Sequence, residues 1–136
     1  MTTICNFFEE SRIYQPGEII VREGEKNRDL FILSEGVIEV SVKAEKEQIV
    51  INEIHPPEIL GEISFLNGTP RIATLTARTR VEVYILSYEK VRQEMADIPP
   101  WFKLILRTLT SRMKSCDQKI KHLETEMKKF KGTQGN

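Results

Sequence analysis

Cysteine is scarce. Cys5 and Cys116 are the only two in 136 residues, and two isolated thiols so far apart make neither a disulfide framework nor a metal-ligand cluster. Histidine is equally sparse, with His55 beside Pro56-Pro57 and His122 on the outer face of an expected helix. No nucleophile–base constellation can be assembled from these residues, so the sequence points to a non-enzyme needing no cofactor and no metal. No apolar run approaches the ~18 residues of a membrane span. The opening stretch MTTICNFFEES lacks the basic start and long apolar core of a secretory signal. A cytoplasmic protein without membrane association is expected. Net charge is also missing, since 20 Lys+Arg balance 20 Asp+Glu. That argues against binding nucleic acid through bulk positive charge.

What is present suits one domain with a real core plus one extra element: 40% of residues are hydrophobic and 29% charged. The zero charge hides an asymmetry. Residues 1–100 carry 11 basic and 17 acidic side chains, whereas residues 101–136 carry 9 basic and 3 acidic. An acidic body is followed by a basic tail, whose simplest reading is a solvated helix face.

The body reads as strands. Ile19-Ile20-Val21 follows a Pro16-Gly17 turn, and Leu30-Phe31-Ile32-Leu33 closes at Glu35-Gly36. Ile38, Val40 and Val42 alternate with polar residues, Ala44 to Glu47 is a charged hairpin tip, and Ile49 and Ile51 resume the alternation. His55-Pro56-Pro57 breaks it, because proline cannot serve a sheet ladder. Strands are expected again over Thr74 to Arg80 and Val81 to Leu86. Many short strands separated by turn signals indicate an all-β sandwich or jelly-roll barrel.

After Ser87, a plausible N-cap, the period becomes helical through Val91 and Met95. Pro99 and Pro100 are placed to start a second helix, which can run from about Trp101 to Lys131 without Gly or Pro. Its apolar positions Phe102, Leu106, Leu109, Met113, Cys116, Ile120, Leu123, Met127 and Phe130 alternate in spacings of 4 and 3, a heptad seam. The flanking pairs Arg112–Asp117, Lys119–Glu124 and Glu126–Lys131 are opposite in sign, as a parallel dimer requires. Near Trp101 to Leu109, Leu104 and Ile105 widen the apolar face, so this part is expected to pack partly on the body. The domain reading is residues 1–97 as a β body with flanking short helices, 98–131 as a long helix forming a parallel coiled-coil homodimer via residues 101–131, and 132–136 as a disordered tail.

The most informative stretch is Gly61-Glu62-Ile63-Ser64-Phe65-Leu66-Asn67-Gly68-Thr69-Pro70-Arg71-Ile72-Ala73-Thr74. A strand is expected to end at Gly61, a short helix to begin near Ile63 and stop at Asn67-Gly68, and a new strand to start at Arg71. Amides at a helix start attract an anion. Gly61 lets that backbone approach a ligand closely. Arg71 supplies a planar fork that suits phosphate, and Glu62 an acceptor able to hold a ribose hydroxyl. Singly, each residue is ordinary; together they fit a ligand with one phosphate charge and a free sugar hydroxyl.

Residues 61–74 resemble the phosphate-binding cassette of cyclic nucleotide-binding domains, whose pattern is approximately F-G-E-aliphatic-small-L, then P-R-small-A-Thr/Ser. The resemblance extends upstream through Tyr14-Gln15-Pro16-Gly17-Glu18, Glu23-Gly24-Glu25 and Leu30 to Gly36, and downstream through Val83 to Val91. It implies a mainly β fold with some α: a jelly-roll barrel of the double-stranded β-helix type, followed by a long C-terminal dimerisation helix. It implies that Glu62 binds the ribose 2′-hydroxyl and Arg71 the cyclic phosphate. The backbone N–H groups of Ser64 and Ile72 would complete the phosphate shell, with Gly61, Ile63 and Ala73 against the ligand. Leu60 stands where the family often has Phe. Ile72 cannot offer the hydroxyl that often meets guanine in cyclic-GMP-selective members, so cyclic AMP is favoured. Similarity to the catabolite activator's dimer helix would bring Cys116 and Asp117 to the adenine edge, although that family member has Thr and Ser there.

The expected function is therefore a cyclic AMP-binding regulatory or sensor protein that changes conformation and signals to a separate effector. The chain ends five residues past Lys131, so no helix-turn-helix reader and no direct DNA binding are expected within it. The alternative is a dimeric scaffold that keeps the fold and has lost the ligand.

Overall fold

The computed structural model of the protein describes residues 10–112. Within them, period-two stretches form eight strands: β1 (Glu10–Tyr14), β2 (Ile19–Val21), β3 (Leu30–Glu35), β4 (Ile38–Ala44), β5 (Glu47–Ile54), β6 (Glu58–Leu60), β7 (Thr74–Ala77) and β8 (Val81–Leu86). Two helices, α1 (Glu62–Asn67) and α2 (Tyr88–Ala96), are followed by α3, described over residues 100–112. The strands make two four-stranded antiparallel sheets, ordered β1-β8-β3-β6 and β2-β7-β4-β5. Each sheet turns one face inward. Leu33, Ile38, Val42, Val81 and Val83 are completely enclosed between them, as alternation along β3, β4 and β8 demands.

The turns follow local chemistry. The β4–β5 hairpin closes over Glu45-Lys46, with Glu45 at φ 60. At Gly36, φ is 91, and any Cβ would run into the Arg80 carbonyl and Val81. Only glycine fits that crossing.

Several expectations need correction. Strand β1 went unread because four of its five residues are exposed and only Tyr14 carries the burial signal. The strand expected to end at Gly61 is β6, which stops one residue earlier, at Leu60, and is only three residues long after the two prolines. Strand β7 stops at Ala77 rather than Arg80, because the Arg78 amide turns aside to the Val37 carbonyl. It also begins at Thr74 rather than Arg71, because the Arg71 backbone is engaged elsewhere: its N–H donates to the Glu25 carbonyl (2.9 Å), and its own carbonyl accepts from Gly24 (2.7 Å). Ser87 occupies the N-cap of α2 but makes no side-chain cap bond; the Tyr88 amide is bonded instead by the Asp29 carboxylate, at 3.3 Å.

Helix α3 starts as the two prolines suggest, with the Phe102 and Lys103 amides bonded to the Pro99 carbonyl. Its packing face differs from the expected one. Thr110 is buried and Lys103 and Leu106 are half-buried, whereas Leu104 and Ile105 are 66% and 47% exposed. Trp101 and Leu109 are exposed as well, so α3 carries an apolar face turned away from the body. The remaining expected helix, the heptad pairs around it, the tail at 132–136, and Cys5 lie outside the described residues.

Candidate functional site

The sequence 61–74 folds into a strand end, one short helix and a return loop. Gly61 caps α1 in the left-handed region (φ 82, ψ 16), and Gly68 ends the helix in the same region (φ 70). The first intrahelical bond runs from the Phe65 amide to the Gly61 carbonyl. The amides of Glu62, Ile63 and Ser64 therefore precede the helix's own ladder. Gly61 is fixed by more than its φ. A Cβ there would strike the Arg71 guanidinium and lie 3.1 Å from the Asp29 carbonyl.

Arg71 is the decisive side chain. It is only 4% exposed, an unusual place for a guanidinium. Its Nη1 donates to the Gly61 carbonyl (3.2 Å), and its Nη2 donates to the Asp29 carbonyl (2.6 Å) and Asn27 Oδ1 (3.2 Å). The ring of Phe31 lies 5.5 Å away. Burial pushes its pKa down, while Asp29, Glu25 and Glu62 push it back up. Its Nε is buried with no protein partner. A buried, unpaired donor of a charged group is costly, and an anionic ligand is the chemistry that relieves it.

Glu62 and Arg71, nine positions apart, line one hollow of ≈ 610 Å³. Gly61, Ile63, Ser64, Ile72 and Ala73 line it too, so seven predicted site residues are brought together. Ile63 and Ser64 are buried; Glu62, Ile72 and Ala73 are half-buried. The far wall comes from the other sheet, with Val40, Val42, Ile51 and Ile54 giving it an apolar surface suited to a flat ring. His55 and Glu58 stand at the lining as well. Cys116 and Asp117, the candidates for the adenine edge, lie outside the described residues.

Sequence reasoning missed the groups that hold this arrangement. Asn27 and Asp29 grip Arg71. Arg28 donates to the Phe65 carbonyl (2.9 Å) and the Leu66 carbonyl (3.4 Å), and its guanidinium covers the Tyr88 ring at 3.8 Å. It thereby closes the carbonyl end of α1 and ties it to the start of α2. The Phe65 and Tyr88 rings meet edge to face, 5.6 Å apart. The Thr110 hydroxyl on α3 reaches Asn67 Oδ1 at 2.9 Å. One short helix thus faces the hollow with its first turn and holds α2 and α3 with its last. The signal available in the sequence was the run Asn27-Arg28-Asp29 just before β3, three polar residues with no motif of their own.

Among the described residues no group of His, Cys, Asp and Glu could hold a metal ion, and no helix is long and apolar enough to cross a membrane.

Comparison with known proteins agrees with this geometry. A cAMP-dependent protein kinase regulatory subunit from Yarrowia lipolytica is 33% identical over 76 residues, 56% of this chain and 20% of the relative. The human potassium/sodium hyperpolarization-activated cyclic nucleotide-gated channel 2 is 29% identical over 87 residues, 64% of this chain and 9% of the channel. The chain thus spans a fifth or less of these relatives' length. Among solved structures, the EAL enzyme Bd1971 in its cAMP-bound form shares the fold with a TM-score of 0.68 at 23% identity, over 90% of this chain and 33% of that one. The same enzyme has also been solved in a cGMP-bound form, again with a TM-score of 0.68, at 22% identity over 93% of this chain and 34% of that one. The family model of the cyclic nucleotide-binding domain matches residues 11–97, which include β2 to β8, the whole Gly61–Thr74 stretch and the hollow it lines; this chain belongs to the cyclic nucleotide-binding domain family.

Proposed function

We propose that this protein is a regulatory sensor that binds cyclic AMP in the hollow beside α1, in preference to cyclic GMP, and signals to a separate effector. The observation that carries the reading is the convergence of Glu62 and buried Arg71 on one hollow with an apolar far wall. Glu62 takes the ribose 2′-hydroxyl. Arg71 takes the cyclic phosphate, with Nε as the donor no protein group uses, and the Ser64 and Ile72 amides complete the shell. Ile72 offers no hydroxyl to a guanine amino group, which favours adenine. Cys116 and Asp117 are the candidates to meet the base from the long helix.

Binding works as a population shift. A phosphate drawing on Arg71 competes with the Asp29 carbonyl, and Asp29 also holds the first amide of α2. The same short helix bears on α3 through Asn67 and Thr110. The ligand can move these helices only by as much as it prefers one arrangement over the other. Dimerisation through residues 101–131 belongs to the same reading. Phe102 and Leu109, at seam positions, are exposed on α3, and a second copy would cover them in continuation of the heptad seam.

Calorimetric titration with cyclic AMP, cyclic GMP and a cyclic dinucleotide tests the ligand. Saturable binding of cyclic AMP, weaker binding of cyclic GMP, and loss of both in Glu62→Gln are expected. Equal indifference of wild type and variant to all three would leave a scaffold that has lost its ligand. For the dimer, exchanging Lys119 and Glu124 together should keep self-association and prevent pairing with wild type; free mixing would defeat the parallel register.

A further inference from the structure

A second hollow, of ≈ 210 Å³, lies at the C-terminal end of α1, between that end, α2 and α3. Its charged lining is of one sign: Arg28, Arg92, Lys103 and Arg107, with no carboxylate among the residues that form it. The remaining wall is largely apolar, from Leu66, Met95, Leu106 and the Tyr88 ring. We propose that this hollow is a second, separate anion site, which takes a small phosphate monoester carrying an apolar substituent. The proposal does not depend on which nucleotide occupies the larger hollow.

The four cations are held differently. Arg28 is locked in place by the Phe65 and Leu66 carbonyls and by the Tyr88 ring, so it is already oriented. Arg92 meets Glu89 at 3.6 Å, one turn back on its own helix, and that pair is mostly exposed. Lys103 donates to the Ala96 carbonyl at 3.3 Å. The Arg107 guanidinium has no hydrogen-bond or ion-pair partner among the described residues. Lys103 and Arg107 are also four residues apart on α3, a spacing at which like charges repel. Four positive groups around one concave surface with apolar walls focus their field into it. The chemistry that satisfies such a field is a compact dianion, and guanidinium forks favour phosphate over a single carboxylate. The flat Tyr88 face and the Leu66, Met95 and Leu106 side chains then give an attached apolar group a surface to lie on.

Phenyl phosphate is the probe, followed by amide NMR titration of the whole chain with cyclic AMP already saturating the larger hollow. The shifts should gather at Met95, Lys103 and Arg107 and leave Gly61 to Arg71 unmoved. Affinity should fall about tenfold for Lys103→Ala or Arg107→Ala, the size expected for loss of one charge-assisted contact, and should weaken with added salt. Phenol, lacking the charge, should not bind. Three outcomes would overturn the site: no binding at millimolar probe, shifts confined to Gly61–Arg71, or an affinity unchanged in Lys103→Ala/Arg107→Ala together. Cyclic AMP titration of the same samples reads the larger hollow separately, so failure of one site does not mimic failure of the other.

Discussion

The two hollows flanking α1 place arginine in opposite conditions. Arg71, in the larger one, is almost wholly enclosed and gripped by three protein oxygens. Arg107, in the smaller one, is exposed on its helix and its guanidinium meets no protein acceptor among the described residues. The enclosed guanidinium is oriented before any ligand arrives, and burial makes each contact strong. The exposed one keeps its hydration and its conformational freedom, so each contact it makes is worth less. A preorganised hollow and a field-driven one can therefore stand at the two ends of one six-residue helix.

The sharpest way to break the comparison is Arg71→Ala. It should abolish the cyclic AMP-induced rise in melting temperature and, by removing the bonds to the Gly61 and Asp29 carbonyls and to Asn27 Oδ1, cost about 1–3 kcal/mol of stability. Phenyl phosphate binding should survive it. Denaturant melts with and without each ligand check all three. Gly61→Ala comes next. A left-handed φ and a collision with the Arg71 guanidinium should destabilise the fold by about 1–3 kcal/mol and weaken cyclic AMP binding together, since relief of the clash displaces the group proposed to take the phosphate.

Smaller effects separate holding the helices from holding the ligand. Arg28→Met keeps a long apolar side chain over Tyr88 but removes the bonds to the Phe65 and Leu66 carbonyls. A loss of about 1–2 kcal/mol is expected, with faster amide exchange at the end of α1. Thr110→Val removes the hydroxyl facing Asn67 and should cost about 1 kcal/mol. Cyclic AMP affinity should change little while the response of α3 to the ligand, followed by Trp101 fluorescence, diminishes. An undiminished response would place the coupling elsewhere. The smallest effect belongs to Arg107→Ala. Removing one member of a like-charged pair on α3 should raise thermal stability by at most about 0.5 kcal/mol.

The same contrast explains what was readable in the residues. Strands β3, β4 and β8 alternate because one face of each is buried, and β5 because Ile49 and Ile51 are half-buried between exposed neighbours, so their pattern survives in one dimension. Strand β1 is paired to β8 along its whole length, yet it buries little beyond Tyr14, so its place is set by a partner some seventy residues later in the chain. The stretch 61–74 was legible because its demands are local: glycine where φ is positive, a carboxylate and a guanidinium at fixed spacing. The restraints on Arg71 were not legible. Asn27 and Asp29 precede it by more than forty residues, and one of the two atoms gripped is a backbone carbonyl, which every residue possesses. The packing face of α3 was misread for a related reason. Leu104 and Ile105 look like core residues by type, but Lys103, Leu106 and Thr110 are the ones that meet α1 and α2, because Asn67 and the end of α2 offer hydrogen-bond partners there.

By itself the sequence determined the strand-rich body, the tight glycine turns, the helical C-terminal region and the residue types that can hold a phosphate and a ribose. All of these follow from backbone sterics and from periodicity over a few neighbours. Tertiary structure alone decided that Glu62 and Arg71 share a hollow with an apolar wall from the opposite sheet, and that four cations from three separate segments surround another. Both outcomes require chain segments tens of residues apart to be closed upon one another, and that closure is set by the packing of the two sheets and helices rather than by any local preference.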